Sequence, residues 1–288
     1  CSAALDGELA VTGILKALGV SGAVSAVSAE VAAAEAAPAV IFERERSMVK
    51  IPNNPEEIFP EITADYRQAF GEGLASVILY GSGCTGDYRP GKSDLNFLLI
   101  VDDEGVERLE RAVPVAGKWR RRRVTAPLIL TRNDLSSSLD SYPIEFLNMK
   151  KHYRLVHGQD VLQSLAIDSG ALRLQIEREL KGKLFLLRKG YLESEGRQSE
   201  LRNLVARSLT AFTALFGAFL YLKGREIPSL RRDVIKAMAS AFSLDLEPFL
   251  KAAEIRDGEG SRSAAELGSL LNELMKQISR LCSLVEEA

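Results

Sequence analysis

The sequence predicts an α+β protein, with a small mixed β-sheet domain followed by an all-α helical bundle. In the first half, short apolar runs rich in β-branched residues alternate with helical patterns, which indicates buried strands between helices. From Asp168 onward, apolar residues recur every three or four positions with charged residues between them, as in amphipathic helices. We therefore place one domain at 48–165 and a second at 166–288, with residues 1–47 as a separate segment.

Residues 1–47 differ from the rest of the chain in composition. They are rich in Ala, Val, Ser and Gly, and charged residues interrupt their apolar runs at Glu8, Lys16, Glu30 and Glu35. A membrane span needs about 20 mostly apolar residues, and a signal peptide needs a basic start before an apolar stretch. Neither pattern is present, so we expect no membrane association. We expect a disordered segment, or an extension that is not native and precedes a start at Met48.

Overall composition excludes several classes of function. The 288 residues carry a formal net charge of -2, which gives no global attraction to nucleic acid or to anionic membranes. The cysteines are few and far apart, at Cys1, Cys84 and Cys282, which favours a reducing compartment and a cytoplasmic protein. With His152 and His157 as the only histidines, a zinc site is not expected.

The first domain shows helix and strand signals in a clear order. Asn54 as N-cap and Pro55 at the first helical position predict a helix that runs to about Phe70. The following elements are predicted as a strand at 75–80, a strand at 95–101, a helix at 106–112 and a strand at 124–130. Pro127 places the last strand at a sheet edge or a bulge, since proline cannot donate to a β-ladder.

The second domain reads as a series of helices. The first runs from Asp168 to a break at Gly196, and the second ends at Gly224. Residues 210–222 of the second helix are apolar nearly all round, as expected for the central helix of a bundle. Three shorter helices are predicted at 230–242, 246–255 and 264–286.

The most informative motif lies between the first two predicted strands. Its distinctive residues are Gly81, Ser82, Gly86, Asp87, Arg89, Pro90, Ser93 and Asp94. This block resembles the glycine-serine loop of the DNA polymerase beta-like nucleotidyltransferase superfamily, which includes small and antibiotic nucleotidyltransferases. In that pattern Gly-Ser is followed by a polar loop with Arg-Pro and then by Ser-Asp-x-Asp. The resemblance covers about residues 54–162, with one extra loop residue near Lys92, and the helical half resembles the bundles that follow this domain.

The resemblance implies a site for a nucleoside triphosphate with Mg²⁺ as cofactor. Gly81, Ser82, Lys92 and Ser93 would contact the nucleotide, because a glycine turn lets backbone amides approach phosphate closely. Asp94 and Asn96 would face the metal, since residues two apart on a strand point to the same side. In an active enzyme, two carboxylates there and a third on a neighbouring strand would hold two metal ions, with Asp94 among the catalytic residues.

This chain departs from the pattern at the acidic positions. Asn96 supplies an amide in place of the second carboxylate, and the predicted strand 124–130 contains no acid. Asp134 and Glu145 follow later but do not fall where the pattern places the third acid. Mg²⁺ prefers anionic oxygen ligands, so we expect weak or absent Mg²⁺ binding. The sequence favours a pseudoenzyme that binds nucleoside triphosphate; the alternative is an active enzyme that transfers a nucleoside monophosphate to a hydroxyl of a small molecule, protein or RNA.

A dense basic run precedes the third predicted strand. It comprises Lys118, Trp119, Arg120, Arg121, Arg122 and Arg123. One interpretation is binding of triphosphate or RNA, with Trp119 stacked on a base. The other is a solvated surface whose aliphatic stems cover apolar groups, with Glu107 and Glu110 as neutralising acids. A further alternative is that the cleft of the glycine-serine loop binds a protein partner.

Other reactive residues are open to a structural interpretation. Cys84 would be reactive if exposed near Lys92, but a cysteine in such a loop is more often a small filler. His152 and His157 are the candidates for imidazole acid–base chemistry, yet a histidine beside a glycine turn is usually structural. The helical half also resembles helical ribonuclease toxins, which use Arg followed closely by His. Arg202 and Arg207 have no histidine after them, which argues against nuclease activity.

Overall fold

The structure, a computed structural model, describes residues 50–84, 88–228 and 230–287. These residues fall into two compact units, divided between Ala166 and Ile167. The predictions made for residues 1–47, and the motif matches at Gly86 and Asp87, lie outside the described residues.

The sheet of the first unit combines both kinds of strand pairing. Its strands are β1 (Leu74–Tyr80), β2 (Asn96–Val101), β3 (Leu128–Thr131) and β4 (Tyr153–Gly158). Among the described residues they form a four-stranded sheet in the order β3-β2-β1-β4. β1 is antiparallel to β2 and β4, whereas β2 and β3 are parallel. A small mixed sheet followed by a helical region confirms the predicted α+β class.

The first long helix, α1 (Phe59–Phe70), covers one face of this sheet. A 3₁₀ turn at Pro55–Ile58 leads into it, and the Asn54 side chain accepts a hydrogen bond from the Glu56 amide at that start. The apolar face of α1 joins the side chains of β1 and β2 that point to it in one core, whose members include Ile62, Tyr66, Phe70, Val77, Leu79, Phe97 and Leu99. This core determines where the loop between β1 and β2 emerges.

The structure differs from prediction in the second half of this unit. Where one helix was predicted at 106–112, there are α2 (Asp103–Glu107), a 3₁₀ turn and α3 (Val113–Arg120). β3 begins later than predicted, and it lies at the sheet edge that Pro127 indicated. Three elements had no prediction: α4 (Arg132–Ser137), α5 (Pro143–Lys151) and β4. No residue of β4 is fully buried, and its sequence lacks the apolar run that marks a buried strand.

The second unit is helical throughout its described residues. It consists of α6 (Ser169–Glu193), α7 (Gln198–Leu222), α8 (Arg231–Phe242), α9 (Glu247–Arg256) and α10 (Ala264–Glu286). α7 contacts each of the other four helices, as was predicted from the apolar residues on nearly all of its sides. Phe216 packs edge-on against Phe249 with ring centroids 5.5 Å apart, and Phe219 stacks on Phe242 at 4.4 Å. The predicted central helix is therefore confirmed.

By length and composition alone, α7 is also the one helix in the described part of the chain that could cross a membrane. Of its most apolar window, 56% is buried inside the protein. The core helix of a soluble bundle passes the same test, so this property is weak evidence for a membrane span.

Candidate functional site

The turn after β1 is packed tightly against the start of β2. Gly81 has φ 76°, a left-handed conformation that favours glycine, and its amide donates to the His152 carbonyl at 3.0 Å. A side chain at Gly83 would bring its Cβ within 2.9 Å of Leu95. The two glycines therefore allow the Gly81–Cys84 turn to lie close to both neighbouring strands.

The loop before β2 is closed by hydrogen bonds among its own residues. Ser93 is buried, and its hydroxyl accepts from the Arg89 amide at 3.1 Å. The amides of Lys92 and Ser93 both donate to the Arg89 carbonyl. Of the predicted nucleotide contacts, Lys92 is exposed, while Ser82 and Ser93 are buried. The geometry gives Ser93 a role in shaping the loop, and its contact with nucleotide stays a prediction.

Asp94 lies at the end of this loop and already faces a cation of the protein. Its Oδ1 is 2.9 Å from the Arg123 guanidinium, and the Asp94 side chain is 45% exposed. The same guanidinium nitrogen donates to the Lys92 carbonyl at 3.3 Å. The carboxylate that would bind metal in an active nucleotidyltransferase is thus paired with an arginine.

Arg123 occupies a backbone position that usually belongs to glycine. Its φ is 62°, and it follows α3 in a Schellman motif, with Val124 N bonded to Trp119 O and Arg123 N bonded to Arg120 O. A residue other than glycine in this conformation costs roughly 1–2 kcal/mol. The Arg123 Nε is also buried without an acceptor among the described residues. The backbone preference alone does not account for an arginine here.

Asn96 is buried and makes its hydrogen bond to a neutral partner. Its Oδ1 accepts from the Thr125 hydroxyl at 2.9 Å, and its side chain is 4% exposed. It stands opposite Tyr80 in the β1–β2 ladder, and burial raises the pKa of that tyrosine. The surroundings therefore disfavour a charged group at position 96 unless a cation accompanies it.

Thr125 stands where the third acid was sought. A parallel bridge pairs Leu95 with Val124, and the Thr125 amide donates to the Leu95 carbonyl at 3.0 Å. This pairing brings Thr125 alongside Asn96, although β3 itself begins only at Leu128. The position next to the predicted metal ligands thus carries a hydroxyl and no charge.

Within the described part of the chain, the remaining candidate acids do not complete a site for two divalent metal ions. Asp134 belongs to the N-terminal capping box of α4, where it exchanges hydrogen bonds with Thr131. Glu145 is buried in the first turn of α5. Among the described residues, no group of three or more His, Cys, Asp or Glu is arranged to hold a metal ion. An amide, a hydroxyl and a paired aspartate do not fit a pair of Mg²⁺ ions, which require several anionic oxygens.

Comparisons with known proteins found matches among solved structures alone. No protein-family model matches the chain, and no curated protein does. Among solved structures, the chain is similar to a spectinomycin adenyltransferase, AAD(9), from Enterococcus faecialis, solved with ATP and spectinomycin. The two share 16% identity with a TM-score of 0.44, over 78% of this chain and 100% of that one. That neighbour is a nucleotidyltransferase.

The basic run is mostly engaged within the protein. Lys118 lies 3.0 Å from Glu61 and 2.7 Å from Asp65, and Arg122 pairs with Glu61. The hydrogen bonds from Arg122 and Lys118 hold the pKa of Glu61 below its usual value of 4.5. These acids come from α1, whereas Glu107 and Glu110 had been expected to neutralise the run.

Trp119 is inside the core, so the hypothesis that it stacks on a base is wrong. Its side chain is 0% exposed, and its Nε1 donates to Asp65 at 2.8 Å. The Arg122 guanidinium covers the ring at 4.5 Å from the centroid. Arg120 and Arg121 remain exposed, and nucleic-acid binding through them stays a prediction.

Cys84 and Arg202 have structural roles. Burial raises the pKa of the Cys84 thiol to about 12, and its Sγ donates to the Leu79 carbonyl, so it is a poor nucleophile. Arg202 donates to the Gly260 carbonyl at 2.9 Å within the helical unit. The filler interpretation of Cys84 is the one that the geometry supports.

Sequence reasoning missed two contacts at the candidate site, those of Arg123 with Asp94 and of Thr125 with Asn96. Both residues had been noticed, the first in a basic run and the second on a predicted strand. The pairing register of a parallel strand cannot be read from its own sequence, so nothing placed them beside the acidic motif.

Proposed function

We propose that this protein binds a nucleoside triphosphate at the loop between β1 and β2 and has lost two-metal nucleotidyl transfer. The observation that carries the proposal is the hydrogen bond between Asn96 Oδ1 and the Thr125 hydroxyl, 2.9 Å long. It joins two neutral groups at the positions where an active site of this kind needs carboxylates. Loss of metal binding there removes catalysis without removing the turn and cations that hold phosphate.

Three features of the loop support nucleotide binding. The left-handed Gly81 lets the backbone turn closely at the end of β1. Lys92 is exposed on the same loop, and the Arg123 guanidinium lies beside Asp94. Lysine and arginine are the side chains that pair with phosphate oxygens most strongly.

Titration calorimetry with ATP, GTP, CTP and UTP, together with a pyrophosphate-release assay, tests this proposal. We expect binding of at least one nucleotide and no pyrophosphate release above the background without protein. Lys92→Ala should weaken binding by about 5- to 20-fold, as expected for loss of one charge-assisted contact. Lys223→Ala, at an exposed lysine of the helical unit, is the matched control.

Two results would contradict the proposal. Failure of all four nucleotides to bind would remove the nucleotide as ligand. Steady pyrophosphate release in the presence of Mg²⁺ that is lost in Asp94→Ala would instead establish an active nucleotidyltransferase.

A further inference from the structure

The Arg123 guanidinium occupies the position next to Asp94 that an external cation would take. The contact is 2.9 Å long, and the neighbouring Asn96 and Thr125 offer no further charge. One resident positive charge therefore balances Asp94, the one carboxylate among the described residues of the motif. A divalent cation approaching Asp94 would have to displace the guanidinium and would be repelled by it.

The pairing of Arg123 with Asp94 leaves the guanidinium incompletely satisfied. Its NH2 is the nitrogen that contacts both Asp94 and the Lys92 carbonyl, so one nitrogen of the guanidinium serves two acceptors. Arg123 and Asp94 side chains are 38% and 45% exposed, so the pair is open to solvent and weak. A phosphate group offers more acceptor oxygens in a fork that matches arginine.

The backbone at Arg123 points to a role for its side chain. The left-handed position after α3 favours glycine, but this chain has Arg123 there. The Arg123 side chain contacts Asp94 of the motif. Strained positions of this kind concentrate at functional sites.

We infer that Arg123 is the built-in cation of the site, which binds the triphosphate directly and makes nucleotide binding independent of divalent metal. The inference rests on the proposed function, since it concerns the same nucleotide. Asp94 then competes with the phosphate for Arg123. The negative charge of Asp94 therefore weakens nucleotide binding. In a metal site, the same charge would strengthen nucleotide binding by holding the metal ion.

The sign of the effect at Asp94 gives the decisive test. Each of the four ribonucleoside triphosphates is titrated into the full chain in EDTA and, separately, in Mg²⁺. We expect wild type to bind nucleotide in EDTA at least as tightly as in Mg²⁺, because Arg123 supplies the positive charge. In EDTA, Asp94→Asn should tighten binding by about threefold or more, because it releases the guanidinium. Glu72→Gln, which removes an exposed carboxylate elsewhere in the first unit, should leave the affinity within about twofold.

The complementary variant removes the cation. Arg123→Gly should weaken binding in EDTA by about 10- to 100-fold, the effect of losing a charge-assisted hydrogen bond. The variant should remain folded, because glycine suits the left-handed backbone there, and a thermal melt checks this. Arg67→Gln removes an exposed arginine of α1 that belongs to no proposed binding surface, and it should change the affinity by less than about twofold.

Each contrary result has a distinct meaning. Binding that requires Mg²⁺, or that Asp94→Asn weakens, overturns the role of Arg123 and leaves the nucleotide-binding proposal intact. Binding in EDTA that Arg123→Gly leaves unchanged also overturns the role of Arg123, and it too leaves the nucleotide-binding proposal intact. Absence of binding to wild type in both conditions overturns the proposed function and this inference together.

Discussion

Position 96 shows how a single amide changes the chemistry of a site. Its carbonyl oxygen accepts from Thr125, and Tyr80 lies opposite on β1, so the amide is satisfied in surroundings that are nearly closed to water. A neutral side chain with a neutral partner is stable there without a counter-ion. A carboxylate at the same position would need a cation to offset its burial.

Asn96→Asp is therefore expected to make the protein dependent on a divalent cation for stability. Without metal, the variant should lose about 2 kcal/mol or more of unfolding free energy, because a charge is buried beside Asp94. Added Mg²⁺ should recover part of the lost melting temperature by screening the two carboxylates. Thermal melts with Mg²⁺ and with EDTA measure both effects.

Wild type is the control for this variant, and its melting temperature should not change with Mg²⁺. A rise in the wild-type melting temperature on adding Mg²⁺ would mean that the native site binds the metal. Since the variant keeps the shape of the side chain, a difference between the two proteins reports charge and not packing.

The helix α1 connects the sheet to the basic run. On one side it packs Ile62, Tyr66 and Phe70 onto the sheet. On the other, Glu61 and Asp65 bind Lys118 and Arg122 at the end of α3. Two helices distant in sequence are thereby held next to the strand segment that carries Thr125.

Asp65→Ala should destabilise the first unit by about 1–3 kcal/mol, because the buried Trp119 Nε1 loses its acceptor. Asp65→Asn should cost less, since the amide oxygen can still accept that hydrogen bond. Urea denaturation followed by tryptophan fluorescence measures the change, as Trp119 is the only tryptophan of the chain.

Gln68→Ala, at an exposed position of the same helix, controls for helix propensity and should change stability by less than about 0.5 kcal/mol. Equal losses for Asp65→Ala and Gln68→Ala would show that the bond to Trp119 contributes nothing measurable.

Taken as a whole, the described chain consists of two compact units. The sheet and α1 bury one set of apolar side chains, and the five helices of the second unit bury another around α7. The second unit begins at a defined helix start, since the Asp168 side chain accepts from the Ala171 amide at 2.7 Å. Within this unit, α7 contacts each of the other four helices.

Residues 167–288 produced alone should therefore fold, with a helical circular dichroism spectrum and a cooperative thermal transition. Phe216→Ala in this fragment should lower the unfolding free energy by about 3–5 kcal/mol, because it removes a buried ring that packs on Phe249. A broad transition without cooperativity would show that the second unit requires the first.

Local patterns in the chain were sufficient for much of the fold. Caps, apolar periodicity and glycine breaks predicted α1, β1, β2 and the five helices of the second unit, because each of these signals lies within a few residues of the element it marks. The loop motif and the neutral residue at position 96 could also be identified from the local sequence. Short or exposed elements such as β4 were missed, since they bury too little to leave an apolar run.

Contacts between distant segments were needed for the chemistry of the site. The hydrogen bond from Thr125 to Asn96 spans 29 positions, and that from Trp119 to Asp65 spans 54. Strand register and helix packing decide which of these side chains meet, and neither is encoded within one short stretch. For this reason the order of residues revealed a missing acid, while the folded chain revealed Arg123 as the cation beside the remaining one.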